Sequence, residues 1–294
     1  MFDINILAMI GGALAIGFSP IISKAMKLPP STIGFYRFFI GFVCLALILL
    51  MKKSKIDFMK LKKMLVPCLL GGFFFSCDLW LWHRSIIYIG AGISTLLANT
   101  QVLYLVLIGI LFLGERPRWY FFLALFLTAL GVIMTTSSLA SFDFESLKMK
   151  GIFYGLLTGL SYSFVTLSLK KANEQAENPG AWPIFLLTFF ASIFSFIFIV
   201  IEKEVHVPQG IDIVYALIYG GVIHAFGWIL ISKAIRVLPV ALVSLILLLQ
   251  PVFATILGVL IYHEEINIIQ GSGLVLSLVG IYIAMVSKEK KKEA

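Results

Sequence analysis

The chain has 294 residues, of which 60% are hydrophobic and only 13% are charged. Soluble domains carry about half apolar and about a quarter charged residues, so the composition excludes an ordinary soluble domain. The net charge of +8 would suit a nucleic-acid partner, but the basic residues are placed as a membrane topology signal, and we expect no nucleic-acid binding.

Apolar segments follow one another along nearly the whole chain. A membrane-crossing helix needs about 20 apolar residues. The ten predicted spans are 4–26, 31–51, 64–86, 91–113, 118–137, 151–170, 181–201, 212–232, 239–262 and 267–286. They leave no room for a soluble catalytic domain. We therefore predict an all-α integral membrane protein with the lipid bilayer as its solvent, and not an enzyme.

The chain also matches itself without a gap at an offset of 149 residues. Residues 71–134 align with 220–283, and 12 of the 64 positions are identical. The identical pairs include Gln101 with Gln250, Glu115 with Glu264, and Gly131 with Gly280. Five spans per half is an odd number, so the second half is expected to be inverted relative to the first. Inverted repeats are the usual construction of secondary transporters.

These patterns define the predicted domains and orientation. The first five-helix repeat is assigned to 1–140, the second to 147–287, and a basic cytoplasmic tail to 288–294. With both termini in the cytoplasm, 16 of the 23 basic residues lie inside, six lie outside and Arg37 lies within a span. The positive-inside rule therefore predicts a multi-pass protein of the inner cell membrane with both termini cytoplasmic.

Short motifs recur in both halves. In the first half they are Leu81-Trp82-His83-Arg84-Ser85-Ile86, Leu96, Gln101, Gly109 and Leu113-Gly114-Glu115-Arg116; in the second they are Gln250-Pro251, Gly258 and His263-Glu264-Glu265. This pattern resembles the EamA repeat of the drug/metabolite transporter superfamily. The resemblance implies a ten-helix bundle in which spans 1, 3, 4, 6, 8 and 9 surround a central cavity while spans 5 and 10 pack outside. It does not select a substrate.

Two charged residues, Arg37 and Asp78, lie well inside predicted spans and away from their ends. An ionised side chain near the bilayer centre costs about 2.5–3.5 kcal/mol on insertion scales. Arg37 is predicted to lie about 9 Å below the outer surface and Asp78 about 13 Å, at a rise of about 1.5 Å per residue. An ion pair between them is possible. Arg37 could instead be structural or reach the outer interface, whereas Asp78 is a candidate for substrate or proton handling.

Polar and aromatic residues of spans 3, 4, 6 and 8 complete the candidate substrate site. They are Trp82, Asn99, Tyr104, Thr158, Tyr162, His224 and Trp228. Several recur at helical spacing, as Asp78, Trp82 and Ser85 do, and such a stripe faces either another helix or water because lipid cannot satisfy it. Gln101 and Gln250 are interpreted as structural residues shared by the repeats. Glu115 and Glu264, at span ends, are interpreted as loop or capping residues.

The predicted function is export of an amino acid or a related amphipathic solute by alternating access. The four histidines are scattered and no motif for phosphate or metal binding is present, so we expect no cofactor and no metal. The partners are a small metabolite and the bilayer, and the protein is expected to be a monomer or a weak homodimer. Uptake or exchange of a nucleotide-like metabolite remains an alternative. A lipid scramblase or a non-transporting partner subunit is the alternative from another class.

Overall fold

The computed structural model describes residues 3–136, 146–175, 179–263 and 267–286, and their regular structure is helical. The helices are α1 (Ile4–Gly17), α2 (Ser19–Ala25), α3 (Pro30–Met51), α4 (Phe58–Ala98), α5 (Gln101–Phe112), α6 (Trp119–Thr136), α7 (Ser146–Glu174), α8 (Trp182–Ile201), α9 (Ile211–Leu217), a π-helical segment (Ile218–Phe226), α10 (Gly227–Ile235), α11 (Val240–Leu247), α12 (Leu249–Tyr262) and α13 (Ile268–Val286). The predicted basic tail at 288–294 lies outside the described residues.

Seven helical segments of the described chain are long and apolar enough to cross a membrane. They are Ile4–Ala25, Pro30–Met51, Phe58–Ile89, Met149–Glu174, Trp182–Ile201, Ile211–Ile235 and Val240–Tyr262. Shorter apolar helices, Gln101–Phe112, Trp119–Met134 and Ile268–Ala284, occupy the places of predicted spans 4, 5 and 10. The prediction of an all-helical, multi-pass membrane protein is confirmed.

The boundary predicted between spans 3 and 4, at 87–90, is helical in the structure. Helix α4 continues through it to Ala98, because this stretch contains no proline or charged residue to interrupt the backbone hydrogen bonds. The helix is nevertheless bent. A Cβ added at Gly155 of α7 would lie 2.8 Å from Leu97 and 3.0 Å from Ser85, although twelve residues of straight helix span about 18 Å. The chain therefore doubles back between Ser85 and Leu97.

Polar contacts tie helix ends together at both ends of the bundle. We call the end at which α1 begins the N-terminal end. There, Trp182 Nε1 donates to Ser54 Oγ at 3.2 Å and Lys170 Nζ donates to the Leu238 carbonyl at 3.1 Å. At the opposite end, Trp80 Nε1 donates to Glu202 Oε1 at 2.8 Å. The first two contacts join the end of one helix to the start of another, as expected for helices that alternate in direction.

Helices α6 and α13 pack along a seam of small residues. A Cβ added at Gly131 of α6 would lie 2.5 Å from the Gly273 carbonyl, and one added at Gly280 of α13 would lie 2.7 Å from the Ala124 carbonyl. Gly131 and Gly280 are separated by 149 residues, and so are Ala124 and Gly273. The crossing thus has local two-fold pseudosymmetry at the offset of the sequence repeat. Its close backbone approach is typical of helix pairs in membranes.

An apolar core fills the N-terminal half of the bundle. Helix α1 contributes Ile6, Met9 and Ala13, each no more than 3% exposed, and every residue of α11 is buried. The first turn of α11 is capped by Glu115, whose carboxylate accepts the backbone N–H groups of Val240 and Ala241. This confirms that Glu115 is a capping residue, although the helix it caps belongs to the other half of the chain. Glu264 lies outside the described residues.

Candidate functional site

A cavity of about 840 Å³, including the open space at its edge, lies where the two halves of the chain meet. Its walls come from α1, α2, α3, α4, α5, α7, the π-helical segment and α12. Helices α6, α8 and α13 contribute no described residue to it. The implied arrangement, with spans 5 and 10 outside, agrees with this lining. Span 2 contributes Arg37 in addition.

Arg37 is buried at the wall of the cavity, with 5% of its surface exposed. Its Nε donates to His224 Nδ1 at 3.4 Å and its Nη1 donates to the Tyr219 hydroxyl at 3.2 Å. The guanidinium carbon lies 5.0 Å from the centre of the Tyr219 ring, close enough for a cation–π contact. Two of its five N–H groups therefore have partners on the π-helical segment.

The π-helical segment explains why Tyr219 and His224 act together on Arg37. A π-helix closes hydrogen bonds between residues i and i+5, and these two residues are five apart. Both therefore face α3, whereas an ordinary α-helix would turn them to different sides. The approach is close, since a Cβ on Gly220 would lie 2.9 Å from the backbone nitrogen of Gly41.

Asp78 lines the same cavity as Arg37 and is 7% exposed. In the described part of the chain its carboxylate has no hydrogen bond and no ion pair within salt-bridge distance. The direct Arg37–Asp78 ion pair considered from the sequence is not formed, because Arg37 turns to His224 and Tyr219 instead. A buried carboxylate without a protein partner is suited to bind a cationic group or a proton.

Of the remaining predicted residues, four line the cavity with Arg37 and Asp78. They are Trp82, Asn99, Thr158 and Tyr162. Tyr162 accepts a hydrogen bond from Gln250 Nε2 at 3.2 Å, which joins α7 to α12 across the cavity wall. Thr158 Oγ1 donates to the Tyr154 carbonyl at 2.9 Å, so its hydroxyl hydrogen is already used. Binding by these residues remains a prediction.

Three predicted residues do not line the cavity: Tyr104, His224 and Trp228. Phe75 is the reason for the last two. Its ring centre lies 5.7 Å from that of His224 and 4.8 Å from that of Trp228, and the Phe75 ring occupies the wall in front of them. His224 is fully buried and its Nε2 is 3.0 Å from Thr188 Oγ1. Tyr104 lies on α5, half-buried and away from the lining.

The polar stripes divide between the cavity and helix packing. Ser85 continues the stripe of Asp78 and Trp82, but it is buried and donates to the Gly151 carbonyl at 2.8 Å. Ser232 continues the stripe of His224 and Trp228, yet it pairs with the Asn173 side chain at 3.0 Å. Both serines connect helices. Helical spacing therefore indicated residues that line the cavity. It did not show which members of each stripe pack between helices instead.

Sequence reasoning gave too little weight to the two glutamines. Gln101 and Gln250 both line the cavity, and the buried Oε1 of Gln101 has no hydrogen-bond partner among the described residues. Tyr219 and Phe75 were not selected at all. The sequence did indicate the two glutamines, since they occupy equivalent positions of the two repeats inside apolar spans. Tyr219 had no such indication, because its position depends on the π-helical geometry.

The described residues contain no group of three or more His, Cys, Asp or Glu side chains that could hold a metal ion. The central cavity itself offers one guanidinium, one carboxylate, amides and aromatic rings. Such a set can hold a small organic molecule with polar and apolar parts.

The family comparison agrees with this architecture. The EamA-like transporter family model matches residues 3–137 and 149–286. The chain belongs to this family, which makes it a membrane transporter by class and confirms the resemblance seen in the sequence.

Two curated relatives are similar over most of their length. An uncharacterized transporter of Clostridium kluyveri is 22% identical over 223 residues, covering 74% of this chain and 71% of the relative. The uncharacterized transporter YoaV of Bacillus subtilis is 23% identical over 270 residues, covering 90% of each. A solved crystal structure, described only as that of a protein, has a TM-score of 0.83 at 14% identity and covers 97% of this chain and 98% of its own. It supports the fold alone.

Proposed function

We propose that the protein is a secondary transporter of a small zwitterionic organic solute, with amino acids and related amphipathic molecules as the substrate class. The observation that carries the proposal is that Arg37 and Asp78 line one cavity without pairing with each other. A zwitterion presents a carboxylate and an ammonium group. The guanidinium of Arg37 would bind the carboxylate, and the carboxylate of Asp78 would bind the ammonium.

The remainder of the cavity suits an amphipathic solute. Trp82, Tyr162 and Phe75 present aromatic surface beside the charged pair, where an apolar side chain of the solute would pack.

The charge balance argues against a nucleotide-like metabolite. Among the described residues that line the cavity, Arg37 is the one cation and Asp78 the one anion. A nucleotide carries two or more negative charges on its phosphate groups, and one arginine opposed by one aspartate would leave most of them unpaired in a water-poor site. Recognition of a neutral zwitterion requires no further charge.

Ten membrane crossings in two inverted repeats form part of the proposal. The doubled-back path of α4 supports separate third and fourth crossings, and the seam between α6 and α13 supports the pseudo-two-fold relation. The helix breaks add a second correspondence. Helices α4 and α5 are separated at Asn99 and Thr100, and α11 and α12 at Leu248, which is the repeat mate of Asn99.

Alternating access would use these breaks. Helix α1 ends at Gly17 and α2 begins at Ser19, and both residues line the cavity, as does Pro251 of α12. A Cβ on Gly17 would lie 2.9 Å from Phe253, so the interrupted helices of the two halves are in contact. Broken helices near a central site are typical of transporters that rock one bundle against the other. With the N-terminal end cytoplasmic, the apolar core would lie between the cavity and the cytoplasmic side in this conformation.

The first test is a ligand-stabilisation screen of the purified protein with amino acids and two matched analogues of each, one without the amine and one without the carboxylate. Phenylalanine, 3-phenylpropionate and phenethylamine form one such set. We expect the zwitterion of each set to raise the melting temperature more than either of its analogues. Flux of the best ligand is then measured in proteoliposomes that contain only this protein. Equal stabilisation by the analogue lacking an amine would contradict the role of Asp78, and absence of flux would contradict transport by the chain alone.

A further inference from the structure

A second, larger cavity lies at the N-terminal end of the bundle, apart from the central one. It encloses about 1,400 Å³, including the space at its opening, between the beginning of α1, the end of α3, the end of α7 and the end of α10. It shares no lining residue with the central cavity. The proposed transport mechanism does not use it.

The lining of this basic cavity is strongly asymmetric in charge. Lys52, Lys233 and Arg236 contribute to it, and no acidic residue of the described chain does. Within the described residues neither Lys52 nor Lys233 has an ion-pair partner. Lys52 and Lys233 are exposed, so their mutual repulsion is screened, but positive charges around one concave space attract an anion. The cavity therefore has the electrostatics of an anion site.

Uncharged polar groups give the cavity a fixed wall. Asn173 lines it and is 2% exposed; its Nδ2 donates to the Leu169 carbonyl at 2.8 Å and to Ser232 Oγ at 3.0 Å. Ser54, also in the lining, accepts from Trp182 Nε1 and so connects the end of α3 to the start of α8. The wall is thus held by hydrogen bonds that do not depend on the lysines.

The surroundings of the basic cavity are apolar and exposed. Ile4 and Leu7 on α1 are 67% and 53% exposed, and Leu47 and Leu50 on α3 are 53% and 73% exposed. These side chains belong to the same helix ends that supply Asn5 and Lys52 to the cavity. A molecule with an anionic head and apolar tails would satisfy both surfaces. Basic pockets between membrane helices are general binding places for anionic lipid head groups.

We propose that this basic cavity binds the phosphate group of an anionic molecule, and that the exposed apolar helix ends favour an anionic phospholipid as its source. Lys52 and Lys233 would contact the phosphate, and the acyl chains would lie along α1 and α3. The site is independent of the transported solute.

The test uses the full chain in detergent with equimolar phosphatidylglycerol and phosphatidylcholine of identical acyl chains, read by native mass spectrometry. We expect preferential binding of phosphatidylglycerol that falls about fivefold for each lysine removed, the usual contribution of one basic residue beside anionic lipid. The test variant is Lys52→Gln with Lys233→Gln. The matched control is Lys60→Gln with Lys62→Gln, at the start of α4 and outside the cavity. The variant Lys52→Arg with Lys233→Arg should keep the preference.

A second arm separates lipid from a soluble anion. The melting temperature is measured in lipid-poor detergent with inorganic phosphate or with chloride at equal ionic strength. Stabilisation by phosphate that requires Lys52 and Lys233, without any phosphatidylglycerol preference, would overturn the lipid source and retain the phosphate site. Equal lipid preference in the test and control variants, together with no phosphate effect, would overturn the proposal.

Discussion

The central cavity and the seam between α6 and α13 both bury polar residues, but they treat them differently. In the seam, Thr128 Oγ1 donates to the Ala124 carbonyl at 2.7 Å and Ser277 Oγ donates to the Thr128 carbonyl at 3.4 Å. In the cavity, the carboxylate of Asp78 and the Oε1 of Gln101 have no hydrogen-bond partner within the described chain. The seam uses its hydrogen-bonding capacity internally, whereas the cavity keeps it for a ligand.

This difference indicates which buried polar groups have a function beyond helix packing. A hydroxyl that returns to a carbonyl of its own helix or of a neighbour costs little in a membrane and brings helices together. A carboxylate or amide oxygen left without a partner is expensive there. Its cost is offset only when a solute, a proton or water occupies the site. Substitutions made in one region at a time test this difference.

The largest effect is expected in the cavity, from Asp78→Asn. Loss of one partner of a buried charge pair costs about 2–5 kcal/mol, so uptake of a zwitterionic ligand into proteoliposomes should fall about thirtyfold or more. The folded yield should remain near wild type because Asp78 supports no protein contact. Asp57→Asn, at the cap of α4, is the matched control and should retain flux. Wild-type flux in Asp78→Asn would remove this residue from the site.

The next effect is expected in the seam, from Gly280→Leu. Its side chain would meet the backbone of α6, and forcing extra carbon atoms into a packed contact costs about 1–3 kcal/mol. Thermal unfolding in detergent should show this loss, with ligand affinity unchanged in the fraction that remains folded. Gly271→Leu on the same helix is the control, since nothing lies within 4 Å of a Cβ there. Equal stability of the two variants would mean that the seam does not hold the bundle together.

The next largest effect is expected from competition between the ligand and a proton for Asp78. A zwitterion can bind Asp78 only when the carboxylate is ionised and the ligand's ammonium group keeps its proton, so binding weakens as the pH falls and a proton takes the site. Below the pKa of that carboxylate, the dissociation constant should rise by up to about tenfold per pH unit. Calorimetric titration across pH would measure it. The profile of Asp78→Asn should be flat by comparison, and a parallel slope in that variant would assign the proton to another group.

The smallest effect on ligand affinity is expected from two tryptophans that were both predicted to bind the substrate. Trp82 lines the cavity, whereas Trp228 lies behind Phe75 and is 1% exposed. Trp82→Ala should weaken ligand binding by about 1 kcal/mol through lost aromatic contact and leave unfolding nearly unchanged. Trp228→Ala should do the reverse, with a loss of stability from the space it leaves. Affinity measured at matched folded concentration would decide, and equal affinity losses in both would place Trp228 in the site.

The sequence was sufficient where hydrophobicity or repetition carried the signal. Span length predicted the membrane helices, and the recurring motifs identified the family. Spacing also brought Asp78, Trp82, Thr158 and Tyr162 to one cavity, since residues on one helical face turn the same way. The glutamine pair was visible too, but recurrence in both halves was interpreted as structural.

The sequence was insufficient where backbone geometry departs from the ideal α-helix. The π-helical segment turns Tyr219 and His224 toward Arg37, and no residue pattern predicts its placement. The chain doubles back within α4 without a proline between Ser85 and Leu97, so the sequence did not show that helical structure continues through this reversal. Packing around Phe75 also decides whether a residue lines the cavity or lies behind the Phe75 ring. This packing depends on contacts between segments that are distant in the sequence.

The central claim is that Asp78 recognises the cationic group of a zwitterion while Arg37 recognises its anionic group. The most direct measurement is a cycle of binding affinities for the wild type and Asp78→Asn with three ligands: the zwitterion, its analogue without the amine and its analogue without the carboxylate. We predict that Asp78→Asn weakens binding of the zwitterion and of the amine-only analogue by about thirtyfold but does not weaken binding of the carboxylate-only analogue. An equal loss for all three ligands would contradict the claim, because it would show that Asp78 shapes the cavity without contacting the ammonium group.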